Sequence, residues 1–127
     1  MNKEDLKGKI STASYIVTQE HGTEAPFSGE LLDTKEEGIF TCVCCGNELF
    51  SSDTKYDSGT GWPSFWDVLN ENSVGEEIDK SHGMIRTEVH CQKCNAHLGH
   101  LFPDGPMPTG KRYCMNSVAM QFKKSDK

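Results

Sequence analysis

Six cysteines in a chain of 127 residues are its most chemically capable groups. Thiols bind soft metals, attack electrophilic centres or pair as disulfides, and spacing separates these fates. Cys42, Cys45, Cys91 and Cys94 form two C-x-x-C pairs with 45 residues between them. In such a knuckle the backbone turns its N–H groups toward the sulfurs, and the residue after the second Cys takes a positive φ. Gly46 and Asn95, the two residue types that tolerate that conformation best, occupy those places and favour Cys45 over Cys44 as the partner of Cys42. Four thiolates suit a tetrahedral soft-metal site with no open position, so the pattern predicts one structural zinc. Iron–sulfur ligation could use the same residues, although the symmetrical spacing fits zinc better. A mixed set that recruits His97 and His100 would strand a complete thiol pair. A zinc deaminase is excluded, because there is no H-x-E and no Pro precedes either Cys pair.

Cys44 and Cys114 remain. If the segment around Cys114 is extended, alternation puts Arg112, Cys114 and Asn116 on one face. A guanidinium beside a thiol favours the thiolate, so the pattern predicts a nucleophile with a lowered pKa. Read alone, Cys114 fits a buried strand cysteine equally well. Histidine as a residue type can donate and accept protons near neutral pH, a capacity His97 and His100 would bring, and Trp62 in the turn 58–66 offers an indole face. Without further context these would be structural histidines close to a metal pair and an aromatic capping the core.

The elements that must position these groups are short. Apolar Ile10, Ala13, Ile16 and Val17 recur at helical spacing between Ser11 and Gly22, which predicts a short N-terminal helix. The run 15–18 is also strand-like. After Pro26 the pattern changes to extended segments at 38–42, 74–78, 84–91, 97–102 and 112–122, separated by turns such as Asp104-Gly105-Pro106 and Thr109-Gly110. That spacing predicts a mainly β fold of antiparallel sheet. The length predicts one domain over 1–127, without repeats or linkers. No run is long and apolar enough for a membrane span, and the first residues lack an apolar signal core, so a cytoplasmic protein is expected. In that reducing compartment, metal ligation and catalysis are better uses of cysteine than a disulfide scaffold. The net charge of −6 repels phosphate backbones, and Lys111-Arg112 and Lys123-Lys124 are too scattered to form a basic stripe. Neither nucleic acid nor membrane is an expected partner.

Several segments taken together are more specific. Val17-Thr18-Gln19, His21-Gly22-Thr23-Glu24, Pro26-Phe27-Ser28-Gly29, Ser58-Gly59 followed by Gly61-Trp62-Pro63-Ser64-Phe65, His97-Leu98-Gly99-His100, Asp104-Gly105-Pro106, and Arg112-Tyr113-Cys114 with Asn116-Ser117 occur in order. In this the sequence resembles the methionine-R-sulfoxide reductases (MsrB), from about Val17 to Phe122. The resemblance implies two antiparallel sheets of the MsrB/Mss4-like, β-tent type, short N-terminal helical structure and a structural zinc remote from the active site. It implies reduction of methionine-R-sulfoxide, free or in proteins, with thioredoxin as the usual electron donor. It puts Cys114 in the nucleophile's place, Trp62 on the methyl-binding indole, His97 and His100 on the sulfoxide-site histidines, and Arg112 and Asn116 on the flanking strand positions.

The sequence departs from that pattern at Thr60. Many members of the family carry a resolving Cys there, others near the N-terminus, and this chain has none before Cys42. The expectation is a one-cysteine cycle, in which thioredoxin or a small thiol reduces a Cys114 sulfenic acid directly and Cys44 is incidental. The competing reading is a zinc-stapled β binding module of the same fold with an inert Cys114.

Overall fold

The computed structural model describes residues 8–20, 22–80, 83 and 85–125. The expected helix is present as α1, Thr12–Glu20. Ser11 caps it, its Oγ accepting the Ser14 N–H at 3.1 Å, and the Gly22 N–H closes the far end on the Ile16 carbonyl at 3.1 Å. His21 lies outside the described residues. The buried face is only partly the expected apolar one: Val17 is buried and Ile10 packs against the core. Ser14, Val17 and Thr18 face inward, whereas Ala13 and Ile16 are exposed. Hydrogen bonds explain this: the Ser14 hydroxyl donates to the Val118 carbonyl and the Thr18 hydroxyl to the Ser14 carbonyl, so neither polar group is stranded by burial.

The strands are β1 Gly38–Cys42, β2 Glu48–Ser51, β3 Lys55–Tyr56, β4 Ser64–Phe65, β5 Val74–Asp79, β6 Arg86–Cys91, β7 His97–Phe102, β8 Arg112–Met115 and β9 Met120–Lys124. Among the described residues they form a three-stranded sheet, β2-β1-β9, and a six-stranded sheet, β3-β4-β8-β7-β6-β5. Their pairings are antiparallel. The mainly β expectation is met. β1 and β7 coincide with the expected segments, β5 runs one residue further, and β6 starts at Arg86, Met84 being outside the described residues. The very short β3 and β4 carry too few residues to show a period.

The segment 112–122 corrects the expectation of one strand. After Met115 the chain turns through Asn116 and a 3-10 turn, Ser117–Ala119, and β9 then joins the other sheet. The turn is held from outside the sheets. Glu24 Oε1 accepts the Val118 N–H at 2.9 Å, and Ser117 Oγ accepts the Leu31 N–H at 2.9 Å. These bonds supply partners that a ladder would otherwise provide.

The core lies between the sheets. Phe40 and Phe50 come from the smaller sheet, Phe65 and Tyr113 from the larger. Phe50 stacks on Phe65 with centroids 4.4 Å apart, and Phe40 meets Phe65 edge-on at 5.0 Å. Leu49, Val89, Leu98 and Met115 complete a fully buried layer. Alternation along β8 sends Tyr113 and Met115 into this layer and leaves Arg112 and Cys114 on the opposite face. Phe65 therefore supports the strand that carries Cys114. Replacing it with Ala is expected to cost about 3 to 5 kcal/mol, measured by urea unfolding of the purified protein. A loss below about 1 kcal/mol would show that this aromatic stack does not hold the sheets together.

Candidate active site and metal centre

The two knuckles are built alike. Gly46 N–H donates to the Cys42 carbonyl at 2.9 Å and Asn95 N–H to the Cys91 carbonyl at 2.8 Å. Cys42 N–H donates to the Asn47 carbonyl at 2.8 Å and Cys91 N–H to the Ala96 carbonyl at 2.9 Å. Gly46 and Asn95 have φ of 79° and 64°, as the turn demands. One knuckle follows β1 and the other follows β6, so they bring together hairpins from different sheets. The sulfurs of Cys42, Cys45, Cys91 and Cys94 all lie within 4.8 Å of one another. Cys42 with Cys94 and Cys45 with Cys91 are each 3.6 Å apart. A tetrahedron of sulfurs ~2.3 Å from a central ion has edges of roughly 3.8 Å, so the set can hold a metal with little rearrangement. Hydrogen bonding with Cys44, Cys91 and Cys94, followed by burial, holds the Cys42 thiol far above its ordinary range. A central cation reverses that penalty by pairing with the thiolates.

Cys44 is 8% exposed and packs between the knuckle and α1. Its thiol contacts Cys42 and Cys94, and the Gln19 side-chain amide donates to it at 3.5 Å. It belongs to the metal end of the molecule.

Cys114 is paired across the ladder with Ser64 of β4 and His100 of β7. It opens into a cleft of about 90 Å³ that Trp62, His100 and Asn116 also line. Gly99 permits this arrangement, because a Cβ there would sit 2.1 Å from the Cys114 carbonyl oxygen and force β7 away from β8. Trp62 donates its Nε1–H to the Glu24 carbonyl at 3.0 Å, which fixes the indole plane. Asn116, 3% exposed, donates from Nδ2 to the Leu98 carbonyl at 3.0 Å and accepts the Glu24 N–H at 3.0 Å. Glu24 thus ties down two cleft residues through its main chain. Burial raises its carboxyl pKa even though it accepts backbone hydrogen bonds from Val118 and Ser117.

A register shift between Val89 and His90 matches one step on β6 to two on β7. The extra residue resets the alternation, so His97 and His100, three apart, have rings 5.5 Å from each other. Both meet carboxylates: His100 Nε2 lies 2.8 Å from Asp79 Oδ2, and His97 Nδ1 lies 2.9 Å from Glu88 Oε1. Only His100 lines the cleft. His97, 2% exposed, lies against its ring from the buried side.

Arg112 shares the face of Cys114 and acts on its thiol, as expected, but it lines no part of the cleft itself. It borders a neighbouring groove with Tyr56, Thr60 and Asp104. Its guanidinium forms a two-point ion pair with Asp104, at 2.8 and 3.2 Å, and lies 4.2 Å from the centroid of the Phe102 ring. The pairing raises the Arg112 pKa and lowers that of Asp104, and much of the cation's field is spent on that carboxylate. Burial consequently dominates at Cys114. The thiol pKa is raised from its ordinary value, against smaller opposing effects of Thr60 and Arg112. The expected effect of Arg112 on the thiol is present, but burial outweighs it.

Sequence reasoning did not single out Arg86, Phe102 and Thr23, which complete the cleft, or Asp79 and Glu88, which hold the histidines. Arg86 donates to the same Asp79 oxygen that meets His100, at 3.3 Å. Finding these residues requires the β5-β6-β7 register, although the spacing of Arg86 and Glu88 on one strand face was visible.

Residues 10–124 match the SelR domain. The chain is 54% identical over 123 residues to a protein of Hahella chejuensis named peptide methionine sulfoxide reductase MsrB, covering 97% of this chain and 88% of that one. It is 55% identical over 119 residues to an Escherichia coli O45:K1 protein of the same name, covering 94% and 87%. Among solved structures, the Mis18 'Yippee-like' domain shares the fold, with a TM-score of 0.58 at 20% identity over 72% of this chain and all of that one. The extent and identity of these matches, together with the thiol, indole and histidine gathered in one cleft, establish that the chain belongs to the MsrB family of peptide methionine sulfoxide reductases.

Proposed function

We propose that the protein reduces methionine-R-sulfoxide, free or in proteins, to methionine, with Cys114 as the nucleophile. The observation that carries this reading is the meeting of Cys114, Asn116, His100 and Trp62, from three separate parts of the chain, around one small cleft. A sulfoxide sulfur becomes electrophilic when its oxygen is hydrogen-bonded or protonated, because oxide cannot leave. The Cys114 sulfur attacks that centre, the S–O oxygen takes up the proton, and collapse transfers the OH to Cys114. The balance is one thiol and one sulfoxide giving one sulfenic acid and one thioether.

The cleft divides these tasks. Trp62, its ring fixed through Nε1, takes the S-methyl group, a contact worth roughly 0.3 to 1.5 kcal/mol. His100 has Nε2 committed to Asp79, which leaves Nδ1 for the substrate oxygen. That nitrogen donates when the ring carries a proton on both nitrogens. His97 and Glu88 hold the ring of His100 from behind. Asn116 shapes the wall, and Arg112 stabilises negative charge on the sulfur from the adjoining groove. Epimer choice then follows from fixing methyl and oxygen on different sides of the sulfur.

Recycling takes one protein cysteine. Thr60 stands beside Cys114, while Cys44 packs on the metal knuckle and lines no part of the cleft. Thioredoxin or a small thiol is the reductant in this reading. Cys42, Cys45, Cys91 and Cys94 hold one structural zinc, which contributes folding free energy and no reacting group. The protein works in the cytoplasm, and no described helix is long and apolar enough to cross a membrane.

Incubation with the separated sulfoxide epimers and dithiothreitol tests the assignment. The R epimer should be consumed and the S epimer left, and Cys114→Ser should lose all turnover while keeping its metal. A Cys114→Ser protein with full activity would refute the nucleophile. For the metal, Cys42→Ser should lose the bound zinc and melt well below the parent, measured by atomic absorption and calorimetry. A metal-free variant of unchanged melting temperature would contradict the structural role.

A further inference from the structure

Three hydroxyls form a continuous line behind Cys114. Thr60 Oγ1 lies 4.0 Å from the Cys114 sulfur, Ser58 Oγ lies 2.8 Å from Thr60 Oγ1, and Ser64 Oγ lies 2.7 Å from Ser58 Oγ. Ser64 is fully buried and is the ladder partner of Cys114 on β4. Its hydroxyl also reaches the Trp62 carbonyl at 3.1 Å, a group that can only accept.

Each hydroxyl has one proton to give, so the fixed direction at one end sets every other. Ser64 spends its proton on Trp62, so Ser58 must donate to Ser64. Ser58 has then none left, so Thr60 must donate to Ser58. The last acceptor is Thr60 Oγ1, and the described side chain within hydrogen-bond reach to donate to it is a protonated Cys114. The line as it stands specifies a neutral thiol, in agreement with the raised pKa of this buried group. A thiolate requires the opposite order, in which Thr60 donates to sulfur, Ser58 to Thr60 and Ser64 to Ser58. No proton needs to move along the line: the Cys114 proton leaves on the cleft side, to the S–O oxygen in turnover or to solvent otherwise, and the three hydroxyls rotate.

We propose that Thr60, Ser58 and Ser64 form a reversible hydroxyl relay, with Thr60 a catalytic residue that donates to the Cys114 thiolate and Ser58 and Ser64 positioning residues that set its direction. The relay gives Thr60 a function of its own at the place where a resolving cysteine would stand. It also fits a nucleophile that rests as a thiol, since one order of the three groups serves the thiol and keeps the Ser64 bond to the Trp62 carbonyl, whereas the other serves the thiolate and gives that bond up. This inference rests on the assignment of Cys114 as nucleophile. The other charged or titratable groups around the thiol are Arg112 on its own strand, His100 on β7, Arg86 on β6, Tyr56 on β3, and Glu24 and Asp104 from the flanking segments. All of them are retained in the variants below.

The test is the pH profile of Cys114 alkylation by iodoacetamide, followed on the Cys114 peptide by mass spectrometry in the zinc-loaded protein. Thr60→Val keeps the shape and removes the hydroxyl, and its midpoint should rise by about one pH unit. Ser58→Ala should move it the same way by less, and Thr60→Ser should return it to the parent value. Coincident profiles for Thr60→Val and the parent would overturn the relay. So would a Thr60→Ser profile displaced as far as that of Thr60→Val, or a Ser58→Ala profile that does not move. Alkylation needs no turnover. Failure of the relay is therefore distinct from failure of the enzyme assignment, which Cys114→Ser activity decides.

Discussion

The ladder that pairs Cys114 with Ser64 on one side and His100 on the other fixes where the thiol can point, because side chains along a strand alternate between faces. The same register sends Tyr113 and Met115 into the aromatic layer between the sheets, so moving the sulfur by one position would expose that layer. The site inherits its rigidity from the core. Gly99 is the price of this closeness, its missing Cβ letting β7 lie against the Cys114 carbonyl with His100 alongside.

The β6–β7 hairpin carries two jobs at different points along its length. Its turn is a metal knuckle with Cys91 and Cys94, and its irregular pairing beyond the turn brings His97 and His100 onto one face. A metal held between this turn and the β1 knuckle would clamp the two sheets at the turn of the hairpin. Carboxylates from the same hairpin and from β5 then orient the imidazoles. Stability and chemistry are therefore built on one element.

Much of this was legible in the residues. The knuckles announced themselves through paired spacing and through Gly46 and Asn95, because a positive φ restricts residue type. The β segments at 38–42 and 97–102 showed in local composition. The break within 112–122 was missed although it left a trace: apolar residues fall on odd positions at Tyr113 and Met115 and on even ones at Val118, Met120 and Phe122. The phase changes where the chain crosses between sheets. The inward turn of Ser14 and Thr18 was not legible, since it depends on a carbonyl at Val118 that lies far away in sequence. Nor was the balance at Cys114. A neighbouring arginine was visible, but its two-point pairing with Asp104 and the depth of the thiol are properties of the folded chain.

These features describe a thiol kept neutral at rest, beside a histidine with one nitrogen pinned and an indole with its plane fixed. In the proposed cycle the protein stops at a sulfenic acid, because a hydroxyl, that of Thr60, stands beside Cys114 in place of a second thiol. The most direct measurement is a single turnover with methionine-R-sulfoxide in the absence of reductant, with dimedone present and the cysteine peptides read by mass spectrometry. The expected result is one methionine released per dimedone adduct on Cys114, with Cys44 still a thiol. A disulfide joining Cys114 to Cys44, or methionine released while Cys114 remains unoxidised, would contradict the account.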